Sequence, residues 1–522
     1  MKKLPIGIQS FSELRRNGYL YIDKTYDIHR MISSGKPFFL SRPRRFGKSL
    51  LVSTLEEVFK GNKGLFEGLY IYDHWDWTQQ NPVIRLDFGG AANYSPEALY
   101  SSMKAFIDET ATDYDVSLTD LPLPVKFREL IRKLHNKYGK QVVVLIDEYD
   151  KPITDNLSNP KVMNENKRVL HDFYQILKSV DEHLRFTFLT GVSKFSGVSI
   201  FSGLNHLNDL TLDERYAAIC GYTQQELEAN FSEHLDDCAQ LYDTSKDDLL
   251  DAIRYWYNGY SWDGCTMVYN PFSTLLFFEK KRFNNYWFSN ATPSFLIELI
   301  KMRNQLKPVL EPVVSDSSIL DSFDPIKIGE TSLLYQTGYL TIKEIKKVDW
   351  QPQYTLGIPN NEVKDSLLKY LLSAYSVYPL NNTQDLKRRM QQQLQENNTA
   401  ALEQSLREMV AYIPYSLRLE YEAYYHSLML LWLKLLGFDI IGEINTNIGV
   451  IDAVWKFSGH TIVAEVKCQV KKGRMATLLT NAIKQIEEKR YYEQFMSEEK
   501  VSLLAVVFAE KEIGCRMVVK KQ

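Results

Sequence analysis

The sequence predicts an α/β protein with a parallel sheet in its N-terminal third, a mainly helical middle and a mixed α/β C-terminal part. Three stretches carry that prediction. In "KPFFLSRPRRFGKSLLVSTLEEVF" a short apolar run, a loop ending in Gly47-Lys48-Ser49 and a helical stripe follow one another. In "QVVVLIDEYDKP" an unbroken apolar run ends in Asp147 and Glu148. In "NIGVIDAVWKFSGHTIVAEVKCQVKKGR" two β runs flank a Ser-Gly turn and carry acids and lysines.

Composition bounds the answer. A chain of 522 residues suits two to four domains, and a 44% apolar share with 13% aromatics can fill large cores. A net charge of -3 excludes a molecule that is polybasic as a whole, so any nucleic-acid surface is local. The cysteines Cys220, Cys238, Cys265, Cys468 and Cys515 have neither zinc-ligand spacing nor the pattern of a disulfide framework. The start, "MKKLPIGIQSFSELRR", lacks the apolar core of a signal peptide. The most apolar run, "LMLLWLKLLGF", is short for a membrane span and carries Lys434. These features point to a cytoplasmic, reducing location with no membrane partner.

The N-terminal third reads as a nucleotide site. A phosphate-binding loop needs a buried strand to deliver it and a helix to begin at once, so that amide groups and the helix dipole face the anion. "KPFFL" supplies the strand, and Leu51, Leu55, Val58 and Phe59 supply the helical stripe. Gly47 allows close backbone approach, Lys48 reaches the β and γ phosphates, and Ser49 ligates Mg²⁺. Phe46 and Leu50 flank this triplet and are counted with the nucleotide-binding residues. The usual pattern has a glycine five residues before Gly47, where this chain has Arg42, followed by Pro43, Arg44 and Arg45. Arg44 and Arg45 either return positive charge to the phosphates or face a partner. "QVVVLIDEYDKP" completes the site, with Asp147 assigned to Mg²⁺ through water and Glu148 to polarising the attacking water. The plain alternative is a core strand with a solvated acidic end. Phe127, Leu130, Ile131, Leu134 and Tyr138 form a helical stripe before it, stopped by Gly139. "PVIRLDFGG" and "LRFTFLTGVSKF" read as further strands, and Thr190 at the tip of the second is a candidate sensor of the γ phosphate, with Ser193 and Lys194 behind it.

The blocks "LPIGIQSFSELRRNGYLYIDKT", "RPRRFGKSL", "VVLIDEYDKP" and "FLTGVSKFS" together resemble the bacterial AAA-ATPase-like family over roughly residues 4 to 210. That family carries an Arg-Pro-Arg-Arg-Phe lead into its GKS. The resemblance implies a P-loop domain with a three-layer parallel sheet over residues 1–212, ATP and Mg²⁺ as cofactors, and ATP hydrolysis.

Residues 213–375 read as a mainly helical domain. Thr223 and Glu226 form a capping-box pattern, and turn signals at Asn258-Gly259 and Asp263-Gly264 suggest short strands. Helices interrupted by a hairpin are what a winged-helix module shows. Tyr255, Trp256, Tyr257, Tyr260 and Trp262 either stack on bases or form a core under the hairpin. "LLYQTGYLTI" and "YTLGIPNNEV" read as two more strands, and the polar stretch 376–414 as a helical spacer.

Residues 415–522 hold the second constellation. With Ser458-Gly459 as a two-residue turn, Asp452 lies opposite Glu465, and Lys467 shares its face. Two opposed carboxylates are costly to bury unless protonated or bridged by a cation, and an oxygen ligand set suits Mg²⁺. The plain alternative is a surface salt-bridge cluster. The pattern Asp, twelve residues, Glu-x-Lys resembles the PD-(D/E)xK nuclease superfamily, with its restriction-endonuclease-like fold. The resemblance implies a Mg²⁺-dependent nuclease with Asp452 and Glu465 as metal ligands and Lys467 as a catalytic residue. By the same analogy an acid comes from an N-terminal helix, here Glu422, and a glutamine from a later one, here Gln485. Relatives often read Gly-Arg-Ile-Asp where this chain has Gly449-Val450-Ile451-Asp452, and Lys471, Lys472 and Arg474 are the nearest basic replacements. The expected function is an ATP-hydrolysing protein whose nucleotide state controls a nuclease domain acting on nucleic acid. The alternative is a nucleotide-gated switch with an inactive nuclease-like domain kept for binding. A second copy of the chain or another protein is compatible with both.

Overall fold

Five β runs meet in one parallel sheet. In the computed structural model, which describes residues 1–194, 207–287, 312–316, 329–375, 383–411, 422–446, 449–469, 475–509 and 512–521, these are β1 (Pro37–Ser41), β2 (Val83–Asp87), β3 (Val142–Asp147), β4 (Leu184–Gly191) and β5 (Asn208–Asp209). They lie in the order β2-β3-β4-β1-β5, every pairing parallel. Helical crossovers cover both faces of such a sheet. Val142 to Ile146 are therefore buried at successive positions, without alternation. Each such side chain stabilises the fold by about 1.5–3 kcal/mol before entropy is counted. Because all the strands point one way, their C-terminal ends share one edge, with Asp87 beside Asp147 and Ser41 beside Gly191. The helix Leu123–Tyr138 ends at Gly139, whose φ is +63°, on the stripe and stop predicted from its sequence.

The middle helices Gln224–Asn230, Ser232–Tyr242, Lys246–Tyr257 and Pro271–Lys280 pack with the start of the chain. Leu20 and Ile22 share a core with Leu227, Phe231, Leu235, Ile253 and Phe277. The capping box of Thr223 and Glu226 forms as expected. The short strands expected around Asn258-Gly259 do not. Ile253 to Tyr257 finish a helix, because Leu249, Ile253 and Tyr257 make a buried stripe at four-residue spacing, and beyond it only the isolated bridges Tyr260↔Val268 and Tyr222↔Tyr269 form. Tyr257, Tyr260 and Trp262 are buried, so the core reading holds for them, whereas Tyr255 is exposed. "LLYQ" likewise belongs to the helix Glu330–Gln336 and not to a strand. The sheet of this region is β6 (Val313–Ser315), β7 (Thr341–Val348) and β8 (Gln351–Gly357), antiparallel in the order β6-β8-β7.

The chain divides into two compact units that part between Val363 and Lys364, within the helix Asn361–Tyr375. In the second unit the polar stretch makes the helices Thr383–Gln395 and Thr399–Ala411, whose Leu386, Met390, Leu394, Leu402 and Leu406 are buried. The strands are β9 (Asp439–Thr446), β10 (Gly449–Phe457), β11 (His460–Gln469), β12 (Lys500–Ala509) and β13 (Glu512–Lys521), in sequence order across a mixed sheet. The second of the two helices packs on β13, where the Cys515 amide donates to Glu403 at 3.1 Å. Only β11 and β12 run parallel, and the helix Met475–Glu488 connects them. Val454, Val463, Leu479, Ile483, Ile486 and Leu503 form the core under that helix. Among the described residues no helix is long and apolar enough to cross a membrane.

Candidate functional site

The loop between β1 and the helix Lys48–Phe59 is built without its first glycine, and its backbone shows how. Two residues adopt left-handed conformations, Arg45 with φ +69° and Gly47 with φ +91°. Alternation of this kind turns amides toward one concavity, a ready anion cradle at a helix start. Gly47 takes that conformation freely, whereas Arg45 costs about 1–2 kcal/mol. Side-chain anchors hold it there. The Arg45 guanidinium donates to the carbonyls of Tyr286 (3.0 Å) and Trp287 (2.9 Å) and lies 4.1 Å over the Phe272 ring.

The rest of the arginine-rich lead is spent the same way. Arg42 is buried, donates to the carbonyls of Ser41, Thr211 and Tyr216, and stacks 3.9 Å from the Trp262 ring centre. Phe46 sits edge-on to Tyr260 at 4.7 Å and to Trp262 at 5.5 Å. The Arg44 carbonyl accepts from the Trp287 indole at 3.1 Å. A Cβ on Gly338 would lie 2.6 Å from Pro43, so glycine there admits the proline. The loop's outer side chains thus grip the middle region, and only the Arg44 side chain is exposed. Trp287 also donates its amide to Glu362 at 2.8 Å. Glu362 accepts from Ser273 at 3.0 Å, is 1% exposed, and burial lifts its carboxyl to about 7 against the pull of Arg45.

Inside the cradle, the Lys48 ammonium donates to the Arg42 and Pro43 carbonyls at 2.9 and 3.0 Å. Burial lowers its pKa, and the acids Asp147, Asp150 and Glu148 oppose that shift. Asp147, at the tip of β3, has its pKa raised by burial, while Ser49 and Lys48 draw it down. Its Oδ1 accepts from the Glu148 amide at 3.0 Å, and its Oδ2 is buried with no hydrogen bond. An inward-facing carboxylate oxygen of this kind beside Ser49 suits a hard cation carrying its own waters. Glu148 is about one-third exposed and also left-handed, with φ +50°. Strain at such a position is a frequent mark of function. Thr190 does not present its hydroxyl to the loop. It donates to the Leu40 carbonyl at 2.8 Å, fully buried between β4 and β1.

Sequence reasoning passed over two acids. Asp150 is 2% exposed and accepts from the amides of Val192 (3.0 Å) and Ser193 (2.7 Å), so it fixes the turn after β4. Burial raises its pKa to about 6. Its spacing of three from Asp147 was the available signal. Asp87, at the tip of β2, faces Asp147 in register and repels it. Among the described residues no three His, Cys, Asp or Glu side chains are gathered as a metal cluster. Beside Gly47 and Leu50 opens a cleft of about 70 Å³, lined by Tyr21, Ile22, Ile219, Gly221 and Tyr222 among others. Its mostly apolar walls suit the face of a flat heterocycle.

In the second unit the turn Ser458-Gly459 has φ +44° and +75°, the two-residue left-handed geometry, and the β10–β11 register is the expected one. Backbone pairing runs to Ala453↔Ala464. At the next position the Asp452 Oδ2 accepts from the Val466 amide at 2.8 Å. Glu465 is 1% exposed, pairs with the Lys467 ammonium at 2.7 Å, and accepts a short hydrogen bond from Gln485 of the helix Met475–Glu488. Glu465, Lys467 and Gln485 thus come together, with Asp452 directed to the backbone between Glu465 and Lys467. A buried carboxylate with a second acid beside it is an oxygen donor set of the kind Mg²⁺ takes. Glu422 opens the helix Glu422–Leu435, and its side chain lies outside the described ones. Lys471, Lys472 and Arg474 lie outside the described residues.

Comparison with known proteins agrees with this division. Residues 5–201 match the family model of a predicted AAA-ATPase, and residues 420–516 match the PD-(D/E)XK nuclease superfamily. A protein from Azotobacter chroococcum mcd 1, described as an uncharacterized protein in the vnfD 5′ region, is 39% identical over 515 residues, 97% of this chain and 96% of that protein. A solved structure of Drosophila ORC bound to poly(dA/dT) DNA and Cdc6 aligns at 11% identity with a TM-score of 0.22, over 78% of this chain and 70% of that one. At that score the likeness carries no argument.

Proposed function

The chain belongs to the AAA-ATPase-like family and ends in a PD-(D/E)XK nuclease superfamily domain, and from that premise we propose that it binds and hydrolyses ATP and that its nucleotide state controls a Mg²⁺-dependent nuclease acting on nucleic acid. The observation that carries the reading is one chain holding both a Lys48–Ser49–Asp147 cradle at parallel strand tips and a buried Glu465 paired with Lys467.

In the first unit Lys48 exchanges its loop carbonyls for the β and γ phosphates, and the amides around Gly47 hold the same anion. The cleft beside Leu50 takes the base. Ser49 and Asp147 hold the cation, and Glu148 orients and polarises the attacking water. In the second unit Asp452 and Glu465 hold the cation. Lys467 positions the attacking water and offsets negative charge at the phosphate, while Gln485 fixes the Glu465 carboxylate. At either site the ion, when bound, supplies Lewis-acid stabilisation of the phosphoryl charge.

The test is a paired assay on the pure full chain, following ATP hydrolysis and the cleavage of plasmid, single-stranded DNA and RNA with Mg²⁺ or Mn²⁺. Wild type is expected to do both, Lys48→Ala to lose the first, and Lys467→Ala to lose the second while still hydrolysing ATP. Cleavage that survives in Lys467→Ala would be a contaminant's and would remove the nuclease assignment.

A further inference from the structure

The β7–β8 hairpin ends in a residue that the fold does not explain. Its turn residues Asp349 and Trp350 have φ +49° and +65°. Two-residue turns of this hand favour Asn-Gly or Asp-Gly, because the second position tolerates a side chain poorly. A tryptophan there is a backbone outlier. Trp350 is also 96% exposed, so it returns nothing to the core for that strain. Strain and apolar exposure at one tip mark a contact made with something else.

The hairpin around it narrows the partner. From Glu344 to Val348 every residue of β7 is exposed, and on β8 the cover begins only at Tyr354, across from Ile345, so the end of the ribbon beyond that pair stands in solvent. It carries Lys346 and Lys347, with the exposed Ile345 and Val348 on either side of the pair. Lys346 pairs with Glu344 at 3.0 Å in a solvent-exposed pair, which phosphate can displace at little cost. Lys343, nearer the base, donates instead to the Pro359 carbonyl. Pro352 lies opposite Lys347, and a proline and lysines at a strand end discourage a further strand from pairing there. Docking by strand addition from a second copy is therefore disfavoured. What remains is a flat aromatic tip, with the Asp349 carboxylate beside it in the turn and the Lys346 and Lys347 ammonium groups further down the same strand. That combination suits a nucleic acid, whose bases stack on the ring while its phosphates meet the lysines.

We propose that the β7–β8 ribbon is a nucleic-acid contact, with Trp350 stacking on an unpaired base or a frayed base step and Lys346 and Lys347 on the adjoining phosphates. The proposal rests on the nucleic-acid reading of the function, and it places a binding element in the first unit, apart from the nuclease domain.

The experiment measures binding of a labelled DNA with a duplex part and a single-stranded tail to the full chain carrying Lys467→Ala, which keeps the probe intact. Trp350→Gly is the decisive variant, because glycine fits the left-handed position and the fold is expected to melt no earlier than its parent. Binding is expected to weaken about tenfold in Trp350→Gly and to stay near the parent's in Trp350→Phe. The double variant Lys346→Gln, Lys347→Gln is expected to lower the salt dependence of binding by nearly two phosphate contacts. Equal binding by parent and Trp350→Gly overturns the ribbon contact and leaves the nucleic-acid reading standing. A parent that binds neither duplex nor tail overturns both. A change of oligomeric state in Trp350→Gly with unchanged DNA binding reassigns the tip to a second copy of the chain.

Discussion

Residues in the phosphate loop divide by the direction their side chains take. Lys48 faces the cradle, and Lys48→Ala is expected to weaken ATP by about 10- to 100-fold, the worth of a charged hydrogen-bond set, as read by nucleotide titration. Glu148→Gln is expected to bind ATP normally and to hydrolyse it about 10²- to 10⁴-fold more slowly, because water activation is lost while Asp147 and Ser49 remain. Equal turnover in wild type and this variant would remove Glu148 from its role. Arg45 faces the other way, toward Tyr286, Trp287 and Phe272. Arg45→Gly keeps the left-handed backbone and deletes the anchor. It is expected to lower the melting temperature of the first unit and to leave the ratio of ATP to ADP affinity unchanged. A selective loss of ATP would mean that the guanidinium reaches the γ phosphate.

At the scale of elements, the helix Asn361–Tyr375 starts in the first unit and continues into the second. Its Glu362 touches Ser273 and the Trp287 amide, and Trp287 also holds the Arg44 and Arg45 carbonyl-and-guanidinium anchors of the loop. Loop and helix thus share one buried cluster. Burial disfavours the Glu362 carboxylate and lifts its pKa from 4.5 to about 7, against the hydrogen bonds from the Trp287 and Tyr286 backbone and from Ser273 and the charge of Arg45. Between those values the unfolded chain has released the proton and the folded chain still holds it. Stability from this group is therefore full below pH 4.5 and falls as pH rises toward 7. Glu362→Gln is expected to flatten that slope in the first unit's melting curve. His460 works in the opposite sense in the second unit. Burial lowers it from 6.5 to about 4, so its contribution is full above pH 6.5 and lost as pH falls toward 4. Calorimetry of the full chain across pH 4 to 8 checks both signs (a range set by these two windows). In the β10–β11 hairpin, Asp452→Asn keeps an oxygen for the Val466 amide, so the fold is expected to survive while Mn²⁺ affinity falls, as titration calorimetry would record.

For the whole molecule the question is whether the two chemistries are coupled. If nucleotide state controls the nuclease, wild-type cleavage changes on adding ATP, and Lys48→Ala cleaves at one rate with or without it. The comparison is made on one DNA substrate with saturating Mg²⁺. A Lys48→Ala chain that still responds to ATP would detach gating from this site, and a wild type indifferent to ATP would leave two independent enzymes on one chain.

Much of this was legible along the chain, because it rests on local patterns. The apolar run into Asp147, the stripe ending at Gly139, the Thr223–Glu226 box and the Ser458-Gly459 turn each depend on a few neighbouring residues. The turn length alone set the β10–β11 register, which pairs as expected as far as Ala453↔Ala464, the position next to Asp452 and Glu465. What tertiary structure alone decided was the company each side chain keeps. Arg42 read only as the missing glycine, Arg45 as facing either phosphate or a partner, and Phe46 as a neighbour of the nucleotide, and they turn toward Trp262, Tyr286 and Tyr260, residues more than two hundred positions away. Thr190 read as a sensor, yet its hydroxyl serves the ladder to β1. Asp150 and Glu362 drew no notice in sequence, and burial lifts their carboxyls to about 6 and about 7. The physical reason is common to all of them. Period and turn chemistry specify the path of the backbone locally, whereas burial, pairing and proton affinity depend on which distant elements the fold brings alongside.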